Sequence, residues 1–167
     1  MVPVSVYKTV FILGMHRSGT SAVARCLMES GLSFTLDGLE DGYWDKHVEY
    51  YQVNQLNEKI VGSWKSPRLP LPSLRTTFYK YRIHSFIKQH VPQDKWVAIK
   101  DPRLLLTYDL WSPYFDEKKI IGIIRRPEEV AQSLSIRDDY ARADFEAGLE
   151  LWRIHNQELL NLRDSLA

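Results

Sequence analysis

Between Val10 and Ser21 the chain runs four apolar residues into Gly14, closes a short polar loop at Gly19, and opens a helix-spaced segment with Thr20 and Ser21. This is the layout of a strand, a phosphate-cradling loop and a helix N-terminus. Gly14 allows a tight turn, and Gly19 lets the backbone come close to an anion. The N–H groups after Gly19, with the helix dipole behind them, favour negative charge. The pattern G-x-x-x-x-G-K-S/T is met at both glycines and at Ser21, but Thr20 stands where the lysine belongs. A nucleotide is expected, though not one whose γ-phosphate is transferred with the usual lysine and Mg²⁺. The bland alternative is a glycine turn that merely joins a strand to a helix.

The remaining periodicity extends this segment into an α/β domain. The first helix sets Val23, Leu27 and Met28 on one face, with Gly31 as its C′ residue. Residues 32–44 read as a loop with Asp37-Gly38 and Asp41-Gly42 turns. Val48, Tyr51, Leu56 and Ile60 predict a helix over about 45–60, and Pro67, Pro70 and Pro72 an extended connection after it. A third helix, over about 74–90, is predicted to bury Leu74, Phe78, Tyr81 and Phe86. Trp96 to Ile99 reads as a short buried strand, and residues 119–124 as a parallel strand covered on both faces. Pro127 suits a first helical position, and Glu128 and Glu129 the positive end of its dipole. A final helix over about 144–166 carries Phe145, Leu149, Trp152, Leu159 and Leu166. Strands separated by helices predict a P-loop-type three-layer fold, a mostly parallel sheet flanked by helices, and 167 residues suit one domain spanning 1–167.

Composition narrows the partners. A net charge of +1 points to neither nucleic acid nor a membrane surface. Cys26 is the single cysteine, so no internal disulfide can form and a cytoplasmic setting is expected. No apolar run approaches the ~20 residues of a membrane span. The five histidines are scattered without metal-ligand spacing, so no metal is expected.

Ligands of parallel sheets bind beyond the carboxyl ends of the strands. All three ends here are polar: His16-Arg17-Ser18, Lys100-Asp101 and Arg125-Arg126. Ser133 follows Arg125 by eight residues, two helical turns on, where the pair could grip one phosphate. Taken alone, the same residues read as an arginine ending a strand and a serine on a solvated helix face.

With these motifs the chain resembles the sulfotransferases that use 3′-phosphoadenosine 5′-phosphosulfate (PAPS), in particular small bacterial members that open with the block found here at Gly14 to Ser21. That block is similar to the family's 5′-phosphosulfate loop, Lys100 to Arg103 to its middle strand end, and Arg125 to Ser133 to its 3′-phosphate motif. Gly42 to Asp45 and Gly62 to Trp64 also look like stretches of these members. The resemblance implies that PAPS is the co-substrate. His16, Arg17, Ser18, Gly19, Thr20 and Ser21 would hold its 5′-phosphosulfate, and Arg125 and Ser133 its 3′-phosphate. It also implies a role for Arg17 at the sulfuryl group and the bridging oxygen. A guanidinium keeps its charge, so that role is electrostatic rather than acid–base.

Sulfuryl transfer to a hydroxyl of a small metabolite or glycan needs a base. Asp45 and Asp101 are the two candidates, and Lys100 is a further sulfate contact. Asp45 reads equally as a helix N-cap, and Asp101 as an ion-pair partner of Lys100 or Arg103. The resemblance implies a catalytic His or Glu in one of these two regions. It also implies a further strand and a basic loop after the final helix, and nothing before Ala167 resembles them. Either the sequence is a piece of a longer one, or the protein is short with a partly open nucleotide site. A sheet lacking that strand invites homodimerisation through its edge. The aromatics between Tyr43 and Tyr81 suit helix packing better than an acceptor wall. The rival functions are a nucleoside-kinase-like P-loop enzyme with Asp101 organising Mg²⁺, and a catalytically incomplete nucleotide-binding domain.

Overall fold

The first strand, β1 (Lys8–Leu13), lies at the centre of a three-stranded sheet in the computed structural model, which describes residues 6–39, 43–44, 48–63, 65–67, 72–136 and 143–166. Its neighbours are β6 (Trp96–Lys100) and β7 (Glu117–Gly122), both parallel to it, in the order β6-β1-β7. The register sets Ile12 opposite Lys100 and Leu13 opposite Gly122. The carboxyl ends of all three strands therefore finish side by side.

Alternation along β1 decides the layers, because successive side chains point to opposite faces. Phe11 and Leu13 enter one core with Val53, Leu56 and Ile60 of α2 (Tyr51–Val61), Ile83 and Ile87 of α3 (Ser73–His90), and Leu104, Tyr108 and Trp111 of α4 (Leu104–Trp111). Phe11 meets the rings of Tyr108 and Phe115 edge-on, with centroids 5.3 and 5.4 Å away. Val10 and Ile12 enter the opposite core with Ala24 of α1 (Thr20–Glu29), Phe34, Val48 and Ala98. Two helices complete the domain, α5 (Pro127–Ser135) and α6 (Phe145–Leu166). They approach so closely that a Cβ on Gly148 would lie 2.9 Å from the Cα of Ala131. The architecture is α/β, with a parallel sheet between helical layers. No helix among the described residues is long and apolar enough to cross a membrane.

Small two-stranded hairpins lie outside this frame. One pairs β2 (Tyr43–Trp44) with β3 (Glu49–Tyr50), and the other pairs β4 (Gly62–Ser63) with β5 (Ser66–Pro67). The first hairpin corrects the expected second helix, which begins at Tyr51 rather than near residue 45. Val48 sits at φ 55°, a conformation costly for a β-branched residue, so the helical pattern cannot run through it. Asp45 and Trp64 lie outside the described residues.

Two burial expectations also change. In α3 the residues facing the core are Ile83 and Ile87, whereas Leu74, Phe78 and Tyr81 are 85%, 55% and 70% exposed and Phe86 is half-buried. The helix is apolar on more than one side, so its sequence alone does not say which stripe meets the sheet. The strand expected over 119–124 begins at Glu117 and ends at Gly122, because Lys8 at the start of β1 pairs with Glu117. In the described sheet it is an edge, with Glu117, Lys118 and Lys119 exposed, and not a strand covered on both faces. Beside that edge, α6 and β7 line an apolar hollow of about 440 Å³ whose one charged residue is Arg163.

Candidate anion-binding and transfer site

The loop after β1 is built around two glycines and a methionine. A Cβ on Gly14 would stand 2.8 Å from the Ile123 carbonyl oxygen and 2.9 Å from Cγ2 of Thr20, so only glycine lets the loop leave the strand this close to β7. Met15 is fully buried among Val130, Leu134 and Leu151, which anchors the loop between α5 and α6. Gly19, at φ 95°, is the N-cap of α1, and its carbonyl accepts bonds from the N–H groups of Ala22 and Val23. Thr20 is buried with its methyl against Gly14, so the residue in place of the expected lysine is a packing residue. The Ser18 hydroxyl is buried and has no partner among the described residues. His16 is half-buried in the same turn.

Arg17 adopts φ 69° and is exposed. Its Nε donates to Oγ of Ser133 over 2.7 Å, across 116 positions of sequence. Nη1 of Arg125 donates to the Arg17 carbonyl oxygen over 3.3 Å, while the Arg125 Nε is paired with Glu129 at 2.7 Å. The indole of Trp152 on α6 donates to the Arg125 carbonyl oxygen, which holds that strand end in place. Pro127 begins α5 with Glu128 and Glu129 in its first turn, as expected. Arg17 from the loop motif and Arg125 and Ser133 from a second motif thus form one constellation. Beside it Arg125, Gln132, Ser133, Ile136 and Phe145, together with the carboxylates of Glu128 and Glu129, border an open hollow of about 470 Å³.

On the other side of the loop, Lys100 at the end of β6 donates to Oγ of Ser21 over 2.9 Å. A lysine therefore does reach the N-terminus of α1, from a neighbouring strand instead of from the loop itself. The same ammonium pairs with Glu49 at 2.5 Å, and both side chains are almost wholly buried. Glu49 Oε2 accepts a further bond from Asn54 over 3.2 Å. Sequence reasoning missed Glu49, because the helical reading of this region placed it mid-helix. The resemblance implies a Glu or His in the region of either Asp45 or Asp101, which left the position open. Val48 packs its side chain into the core at positive φ, and Glu49 follows it in the hairpin beside β6. Strained residues of this kind persist where the surroundings over-determine them, and they cluster at functional sites.

Asp101 is fully buried and bonded to Arg103, through the backbone N–H at 2.7 Å and the guanidinium at 3.3 Å. Of the two partners open to it in sequence, the fold selects Arg103. Burial, opposed by Arg103 and reinforced by the neighbouring Glu49 carboxylate, pushes Asp101 up to about 7. An unfolded chain releases this proton near pH 4, so between there and neutrality the folded state holds more protons. Stability should therefore fall as pH rises across that window and level off above it. Asp101→Asn is expected to remove this downward component from urea midpoints measured between pH 4 and 8. An unchanged slope would mean that Asp101 titrates normally. The slope is the readout, since the variant also loses the counter-charge of Arg103.

Comparison with protein-family models, with curated proteins and with solved structures finds no match for this chain.

Proposed function

We propose that the chain is a PAPS-dependent sulfotransferase acting on a hydroxyl of a small metabolite or glycan. The observation that carries this reading is the 2.7 Å bond between Arg17 and Ser133, which unites the phosphosulfate-loop motif with the 3′-phosphate motif. The first turn of α1, with His16, Arg17, Ser18, Gly19, Thr20 and Ser21, would receive the 5′-phosphosulfate. Arg125 and Ser133 would take the 3′-phosphate, Arg125 turning its guanidinium from Glu129 to the stronger charge. In the reaction, the acceptor oxygen forms a bond to sulfur as the bond from sulfur to the 5′-phosphate oxygen breaks. Charge grows on the leaving bisphosphate, where Arg17 and Lys100 oppose it.

The acceptor proton needs a base. Both carboxylates are engaged, Asp101 by Arg103 and Glu49 by Lys100 and Asn54, and we assign the role to Glu49 on its place beside the loop. The same engagement of Asp101 weighs against the kinase reading, which needs it as the carboxylate organising Mg²⁺.

Calorimetry with 3′,5′-adenosine bisphosphate tests the donor site. Arg125→Ala and Ser133→Ala should each weaken binding, Arg125→Ala by about tenfold or more, since hydrogen bonds to charged groups contribute ~1.5–3 kcal/mol. Unchanged affinity in both would reject the 3′-phosphate assignment. Stabilisation by Mg²⁺ and ATP, with none by the bisphosphate, would support the kinase instead. Bisphosphate binding without turnover on any acceptor would describe an incomplete domain.

A further inference from the structure

The outward face of α3 belongs to neither the core nor the anion site. Leu74, Phe78 and Tyr81 recur at intervals of four and three residues, so they form one stripe on the side opposite the buried Ile83 and Ile87. Helical spacing sets Arg82 and Lys88 on either side of that stripe, and both are exposed. Across its 18 residues α3 carries Arg75, Lys80, Arg82 and Lys88 and not one Asp or Glu. The near-neutral charge of the whole chain conceals this, since the remaining residues are net acidic.

We infer that this face docks onto an anionic lipid bilayer. Charge complementarity favours a negative partner, and it argues against a symmetric pairing of two copies through α3, which would bring the same cations together. The shape selects a fluid surface. The three apolar side chains are exposed along one face of the helix, and a bilayer interface accepts such a stripe without a matching groove. Phe and Leu enter the acyl boundary while Tyr keeps its hydroxyl at headgroup level, and flanking Arg and Lys reach the phosphates along their apolar stems. The charge of the whole chain, from which no membrane partner is expected, does not report on the charge of this one helix. The association is peripheral and independent of the proposed transfer chemistry.

Co-sedimentation with vesicles of phosphatidylcholine alone, and of phosphatidylcholine with 30% phosphatidylserine, tests this at about 0.15 M salt. The protein should bind the anionic vesicles and leave the neutral ones. Arg82→Glu with Lys88→Glu should reduce binding by on the order of tenfold or more. Leu74→Ser, Phe78→Ser and Tyr81→Ser together should abolish it while circular dichroism stays unchanged, because all three side chains are exposed. In a Phe78→Trp variant, the emission in excess of the parent protein's five tryptophans should shift to the blue on adding anionic vesicles. The proposal is overturned if the parent protein ignores anionic vesicles, if the triple serine variant still binds, or if the tryptophan emission does not move. Equal affinity for soluble polyglutamate would likewise overturn it, and would assign the face to an acidic protein.

Discussion

Arg17→Gly is expected to lower sulfuryl turnover by about 10²–10³-fold, the usual cost of removing one preorganised donor aimed at developing charge. The same variant should unfold within about 1 kcal/mol of the parent protein. Arg17 sits at φ 69°, where glycine carries no Cβ penalty, so relief of the backbone offsets the extra entropy glycine brings to the unfolded chain. Activity and stability should therefore separate, which distinguishes lost chemistry from lost fold. Arg17→Lys makes the complementary case. It keeps a charge in the loop but cannot reproduce the planar contact through Nε to Ser133, so turnover should recover only in part. Turnover is read with PAPS and an acceptor found by panel, and stability from urea midpoints. If Arg17→Gly transfers sulfate at the parental rate, the electrostatic role of Arg17 is wrong.

Lys100→Met should be the most damaging substitution for the fold. It strands the Glu49 carboxylate in a site that is almost closed to solvent, with Asn54 as its remaining described partner. Breaking a buried ion pair from one side costs about 3–5 kcal/mol, whereas replacing both charges together is often neutral. The double variant Glu49→Gln, Lys100→Met should therefore recover most of the lost stability. It should not recover turnover, because both the proposed base and the lysine at Ser21 are gone. Chemical denaturation of Lys100→Met, of Glu49→Gln alone and of the double variant measures the coupling directly. Additive losses would show that Glu49 and Lys100 do not depend on one another, and the pair would then lose its claim to be a unit of the site.

The loop between β1 and α1 was readable because its determinants are local. Gly14, Gly19 and the helix start lie within a dozen residues, and backbone sterics allow few other uses of them. Arg125 and Ser133 were readable for the same reason, being joined by two turns of one helix. Glu49 was not. The periodicity of Val48, Tyr51, Leu56 and Ile60 fits a helix, and the left-handed turn at Val48 exists only because the core holds that side chain. The exposed stripe of α3 was hidden by a similar ambiguity. Several of its faces are apolar enough to be buried, and packing against α4 and the sheet decided which one is.

By itself, the sequence determined the layered α/β plan, the strand-loop-helix turn from Gly14 to Ser21, and the absence of a lysine within it. Helix and strand periods and glycine geometry are short-range properties, and they are written wherever the residues stand. Tertiary structure alone decided that a lysine returns to the loop from β6, that Arg17 meets Ser133, and that Asp101 is spent on Arg103. Those contacts depend on strand register and on which helical face is buried. Both are settled by the summed packing of the whole domain, which no local pattern records.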